Sequence, residues 1–173
     1  MDELALANLI KREFSTVPFS GSWNIVLKKD YDQVIEARQV ADYFSDKKWQ
    51  DITVRSLRAD YIGDASACLV FMTPQAFRFY LPAYLLICID EYNEADVIYD
   101  STITRLIKST EPTEATKFDD RFVTMALGQK QAIAAFLLQM HLLHDNKDRV
   151  EECARRALDS YWSSFLAKDA GST

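Results

Sequence analysis

A chain of 173 residues that is 49% apolar and has only four glycines and four prolines can bury a core of its own, so neither disulfides nor a structural metal is needed to hold it. Its 20 basic and 26 acidic residues leave a net charge of −6, which repels a phosphate backbone, and cations adjoin only in pairs such as Lys28-Lys29, Lys47-Lys48 and Arg155-Arg156, so nucleic acid is not an expected partner. No apolar run approaches the roughly 20 residues that span a bilayer, and the acidic start MDELALANLIKREF lacks the basic end and apolar stretch of a secretory signal, so the expectation is one cytoplasmic domain with no membrane role.

In chain order, residues 2–14 place Leu4, Leu6, Leu9, Ile10 and Phe14 near one helical face. Pro18 and Gly21 break 17–22, and 23–27 (WNIVL) reads as a short extended segment. Asp30 is placed to cap a helix over 31–44, with Gln33 in the capping-box position and Val34, Ala37, Ala41 and Phe44 at helical spacing. Thr73-Pro74 is a helix start, since the threonine hydroxyl accepts an early N–H and proline gives up a donor that had no partner there. Pro82 follows eight residues later, removes a donor and crowds the Arg78 carbonyl, which predicts a break or kink near Tyr80-Leu81 and a second helix from Pro82 to about Asn93. Ser101 is placed to cap 102–108, and 111–120 (EPTEATKFDD) is the most loop-like stretch. Helical patterns over 125–144 and 147–167, joined by a polar turn at Asp145-Asn146, predict an antiparallel hairpin, with a frayed tail at about 168–173. The sum is an all-α single domain over 1–173, with about seven helices, a proline-kinked central helix pair and a C-terminal antiparallel helical hairpin.

The string FMTPQAFRFYLPAY (71–84), preceded by Trp49-Gln50-Asp51-Ile52, resembles a family of small bacterial proteins catalogued only as a domain of unknown function. The resemblance covers about 49–86 and is weaker around 127–137; it implies a bacterial source and a largely helical fold, and no chemistry. On a helix Phe77, Tyr80, Leu81 and Tyr84 share a face, while Arg78 points away from it towards a carboxylate or a carbonyl freed by Pro82. The reading of Trp49, Phe77, Arg78, Tyr80, Leu81, Pro82 and Tyr84 is therefore structural, with a ligand-contacting Arg78 as the sharper rival.

Cys68, Cys88 and Cys153 are odd in number and far apart, which suits buried, reduced thiols better than a disulfide framework or a zinc site. His141 and His144 share a helical face near Asp145 and Asp148, a spacing that can begin a metal site but that lacks HExxH or a cysteine partner. No phosphate-cradling glycine motif and no nucleophile elbow is present, so no catalytic residue, cofactor or metal is assigned.

The most suggestive surface feature is acidic: Asp90, Glu91, Glu94, Asp96 and Asp100 fall within eleven residues, interleaved with Tyr92 and Tyr99. A solvated face explains them; so does a docking surface for a basic protein, with carboxylates steering association and aromatics anchoring it. Size, acidity and the lack of a catalytic signature point to a non-catalytic protein, concretely an immunity or antitoxin-like protein that occludes a basic bacterial toxin, such as a nuclease. The rivals are a metal- or acid-base-dependent hydrolase using His141, His144 and nearby carboxylates, and a homodimer or larger homo-oligomer that buries aromatic surface between copies.

Overall fold

The chain enters its first helix under an aspartate cap: the Asp2 side chain accepts from the Ala5 N–H at 2.7 Å, and Leu6, Ile10 and Phe14 then fall on one buried face. The computed structural model describes residues 1–18, 24–91, 94, 95, 97–143 and 149–166, with the backbone alone at 143 and 149–151. Among the described residues ten α-helices follow in order: α1 Glu3–Phe14, α2 Lys28–Gln33, α3 Ile35–Phe44, α4 Val54–Asp60, α5 Cys68–Phe71, α6 Pro74–Asp90, α7 Ile98–Arg105, α8 Pro112–Phe122, α9 Leu127–Leu143 and α10 Arg149–Ser160. Short 3₁₀ turns cover Trp49–Asp51, Ala65–Ala67 and Trp162–Phe165. The all-α expectation holds, with more and shorter helices than the seven expected.

The extended segment expected over 23–27 appears, in its described part, as a single antiparallel bridge between Val26 and Met72. Its hydrogen bonds serve the next helix. Thr73 N donates to Ile25 O and Thr73 Oγ1 to Asn24 O, each at 2.9 Å, while Thr73 Oγ1 accepts from the Ala76 N–H, so the threonine start of α6 is tied down on both sides.

α6 is the axis of the molecule. Twelve of its 17 residues are buried, on every face, and it packs against α1, α7, α8 and the Trp49–Asp51 turn. α9 pairs with α10 and with α1, which closes one continuous core around α6.

Four expectations are corrected. The chain does not break at Leu81-Pro82: Pro82 lies inside one helix that ends at Asp90. An interior proline costs about 3 kcal/mol, but Leu81, Ala83 and Tyr84 around it are fully buried, and each large apolar side chain withdrawn from water returns about 1.5–3 kcal/mol. The helix expected over 31–44 is two helices meeting at Val34, whose extended backbone (φ −119°, ψ 118°) turns the exposed α2 away from the line of α3, so Asp30 lies inside α2 and caps nothing. Ser101 lies inside α7, where its hydroxyl donates to Ser66 O at 2.5 Å. The loop-like 111–120 is mostly α8: Pro112 takes the first helical position and Phe118 and Phe122, one turn apart, are buried. The turn at Asp145-Asn146, residues 19–23 and the tail from 167 lie outside the described residues.

Candidate functional site

The 71–84 string packs mostly into the core. Tyr80, Leu81, Phe77 and Tyr84 are fully buried, and Trp49 packs beneath α6. The Tyr80 hydroxyl donates to Phe44 O and Lys47 O, and that of Tyr84 to Ala65 O at 3.3 Å, so each buried hydroxyl has a backbone partner. Arg78 donates to the Thr124 hydroxyl rather than to a carboxylate or a freed carbonyl, linking α6 to the segment before α9.

The thiols are buried and free. Burial pushes the Cys68 thiol up to about 11 and that of Cys88 up to about 12, which leaves both as thiols rather than nucleophiles at neutral pH. His141 stands in the last turn of α9; His144, Asp145 and Asp148 lie outside the described residues. Among the described residues no three His, Cys, Asp or Glu side chains converge on a metal position.

The acidic segment divides by role. Glu91 follows the last residue of α6 and its Oε1 accepts from the Val54 N–H, the first of α4, at 3.2 Å. Its carboxylate therefore sits at the positive end of one helix and serves the fold. The Arg58 guanidinium holds the Glu94 carbonyl at 2.6 Å, and Ala95 is fully buried, which pins the segment to α4 and leaves the Glu94 side chain exposed. Asp90 is exposed at the carboxyl end of α6, against the helix dipole, and makes no hydrogen bond or ion pair among the described residues. Tyr99 and Asp100 are half-buried on α7; Tyr92 and Asp96 lie outside the described residues.

Besides a groove of about 350 Å³ between Glu94 and the cations Arg55 and Arg58, two grooves border this segment. Glu94 and Val97, the latter 54% exposed, line one of about 290 Å³ with Leu57, Tyr61, Gly63 and Asp64. A Cβ at Gly63 would meet the Tyr61 hydroxyl at 2.6 Å, so a larger residue there would have to displace the Tyr61 ring. Asp90 and Glu91 line the other, of about 210 Å³, with Lys11, Trp49, Thr53 and Leu86.

A roomier cleft of about 580 Å³, which sequence reasoning missed, opens elsewhere, where α7, the 107–110 connection, α8 and α10 meet. Its cations are Arg105, Lys108, Lys117, Arg121 and Arg156, opposed by Glu114 and Asp159, so it is basic in a chain of net charge −6. No linear cluster announces it, since three helices and a loop each supply only one or two of its cations. The available signal was the spacing of four in Lys117/Arg121 and Phe118/Phe122, which marks 112–122 as an amphipathic helix.

Compared with known proteins, the chain matches over residues 2–166 the model of a family described as a family of unknown function (DUF6714). No curated protein and no solved structure matches it.

Proposed function

The chain belongs to this family of unknown function, and we propose that within it the protein is a non-catalytic binding protein of the immunity or antitoxin kind, engaging a basic bacterial protein through the face that carries Asp90, Glu94 and Val97. The observation that carries this reading is Asp90. A carboxylate at the carboxyl end of a helix costs about 0.3–1 kcal/mol, and here no described residue offsets it. Asp90 and Glu94 are exposed carboxylates that the fold does not use, beside an exposed valine and two grooves able to receive side chains, each of which also holds one cation, Lys11 or Arg58. Carboxylates around an apolar anchor steer a basic partner and hold it. The reading takes the protein to act in the cytoplasm, where such a partner would threaten its producer.

Affinity purification of the tagged protein from its native cells at low ionic strength tests this, with Asp90→Lys/Glu94→Lys run beside it. The expected result is a stoichiometric basic protein that is retained by the wild type, lost by the variant, and toxic when produced without this chain. Lysine at the carboxyl end of α6 suits the helix dipole, and an unchanged helical signal in the double variant separates loss of binding from unfolding. Retention of the partner by the variant removes this face from the account.

A further inference from the structure

Three arginines of the basic cleft form no ion pair with a described carboxylate. Lys117 is paired with Glu114 at 2.7 Å, Lys108 with Asp119 at 2.7 Å, and Asp159 with Arg155 at 3.5 Å. Arg105, Arg121 and Arg156 form no ion pair among the described residues. Arg156 is exposed, whereas Arg105 and Arg121 are half-buried.

The burial of these two is unusual in its chemistry. Arg105 Nε is enclosed from solvent and has no acceptor among the described residues. The Arg121 guanidinium lies over the Phe77 ring, 4.6 Å from its centre, and reaches only a long contact of 3.5 Å to Val70 O. A ring face holds a cation without cancelling its charge. Burial, and then the neighbouring Arg105 charge, lower the proton affinity of Arg121, yet a guanidinium keeps its proton at any physiological pH and cannot relieve the strain by losing it. Lys117 first, and then both arginines, hold Glu114 in its ionised form, and Glu114 is already taken by Lys117.

The floor beneath these charges is stiff. Phe118, Phe122 and Trp162 stack against one another, Phe122 meeting the Phe77 and Trp162 rings edge to face at 5.4 and 5.0 Å. Trp162 Nε1 donates to Leu106 O at 2.7 Å, which ties the floor to the end of α7 beside Arg105. The two guanidiniums are thus presented by a preorganised surface, the condition under which a charged ligand is bound without a large ordering cost.

We infer that this cleft is a binding site for a small molecule bearing a phosphoryl group, with Arg105 and Arg121 as the forks that receive its oxygens and Arg156 at its mouth. The planar guanidinium fork matches phosphate oxygens two at a time. A phosphoryl group brings close to two negative charges near neutral pH, matching the two half-buried cations. The cleft's volume falls within the roughly 300–1,000 Å³ usual for small-ligand sites. The Ser109 and Thr110 hydroxyls on its rim are further donors, and the Phe118 ring offers an apolar wall for the rest of the molecule. This inference concerns a different face from the proposed protein-docking surface, and either can fail without the other.

The test is titration of the full chain with inorganic pyrophosphate, followed through the arginine Nε–Hε resonances and by calorimetry. Saturable shifts of Arg105 and Arg121, with affinity lowered about tenfold or more in Arg105→Gln and in the charge-keeping Arg121→Lys, are the expected result. Succinate at the same concentrations should give no saturable shift of these two resonances. Titration with ADP reads the source of the phosphoryl group: tighter binding than pyrophosphate assigns the Phe118 wall to an organic moiety, and equal binding assigns the site to inorganic phosphate. The proposal is overturned by the absence of saturation up to about 10 mM pyrophosphate, well past the weak end of specific binding, by an equal response to succinate, or by unchanged affinity in a folded Arg105→Gln. The wild-type resonances decide the matter even where a variant fails to fold.

Discussion

The Tyr80 hydroxyl, in the middle of α6, lies 2.5 Å from the Phe44 carbonyl that ends α3, and the two rings meet edge to face at 4.7 Å. The same hydroxyl reaches Lys47 O at 2.7 Å, so one side chain closes the carboxyl end of α3 and orients the turn that follows.

Tyr80→Phe removes only that oxygen. Lys47 N also donates to Phe44 O, at 3.3 Å, so the loss falls mainly on Lys47 O and is expected to cost about 1–3 kcal/mol, read as a lower urea midpoint with an unchanged slope. A variant as stable as the wild type would show that water replaces the hydroxyl at no cost.

Asp90 and Glu91 are neighbours with opposite roles. Glu91→Ala strips the first N–H of α4 of its acceptor and is expected to lower stability by about 1 kcal/mol, as loss of a capping side chain does. Asp90→Lys is expected to leave stability within about 0.5 kcal/mol or raise it slightly, because a cation suits the carboxyl end of α6. Thermal denaturation of the two variants side by side checks the order.

Trp162 closes the aromatic floor between α7, α8 and the last 3₁₀ turn. Fully buried and hydrogen-bonded to Leu106 O, it is expected to cost about 3–5 kcal/mol on Trp162→Ala. Trp162→Phe keeps most of the packing and loses the donor, for about 1–3 kcal/mol. Chemical denaturation of the pair separates packing from the hydrogen bond.

The buried thiols set an alkaline limit. Burial raises Cys68 from an ordinary 9.0 to about 11 and Cys88 from 9.0 to about 12, so both stay protonated in the fold where the unfolded chain has begun to ionise. Their contribution is therefore complete below about pH 9 and declines as the pH rises through 11 and 12. Denaturation midpoints should hold up to about pH 9 and fall above it, less steeply in Cys88→Ala. A disulfide reagent at pH 8 should leave Cys68 and Cys88 unmodified until denaturant is added.

Amino-acid order alone determined the helical class, because apolar residues recurring every three or four positions have no stable use except on helical faces. It also placed the Thr73-Pro74 start, where cap chemistry is local, and the burial of the 71–84 string, where the aromatic content leaves few alternatives. Continuity through Pro82 was decided by tertiary packing, since the local cost of the ring is outweighed only by neighbours that the sequence does not show to be near. The split at Val34 was decided in the same way, since α3 follows the face that buries Ala37, Val40 and Phe44 while α2 buries nothing; the helix over 112–122 had a local signal in the spacing of Phe118 and Phe122, which the polar residues around it obscure. The division of the acidic segment turned on one contact across 37 positions, from Glu91 to Val54. Likewise the basic cleft exists only because α7, α8 and α10 converge on one aromatic floor: the order of residues marks the Lys117/Arg121 face of α8, but not that folding sets Arg105, Lys108 and Arg156 beside it.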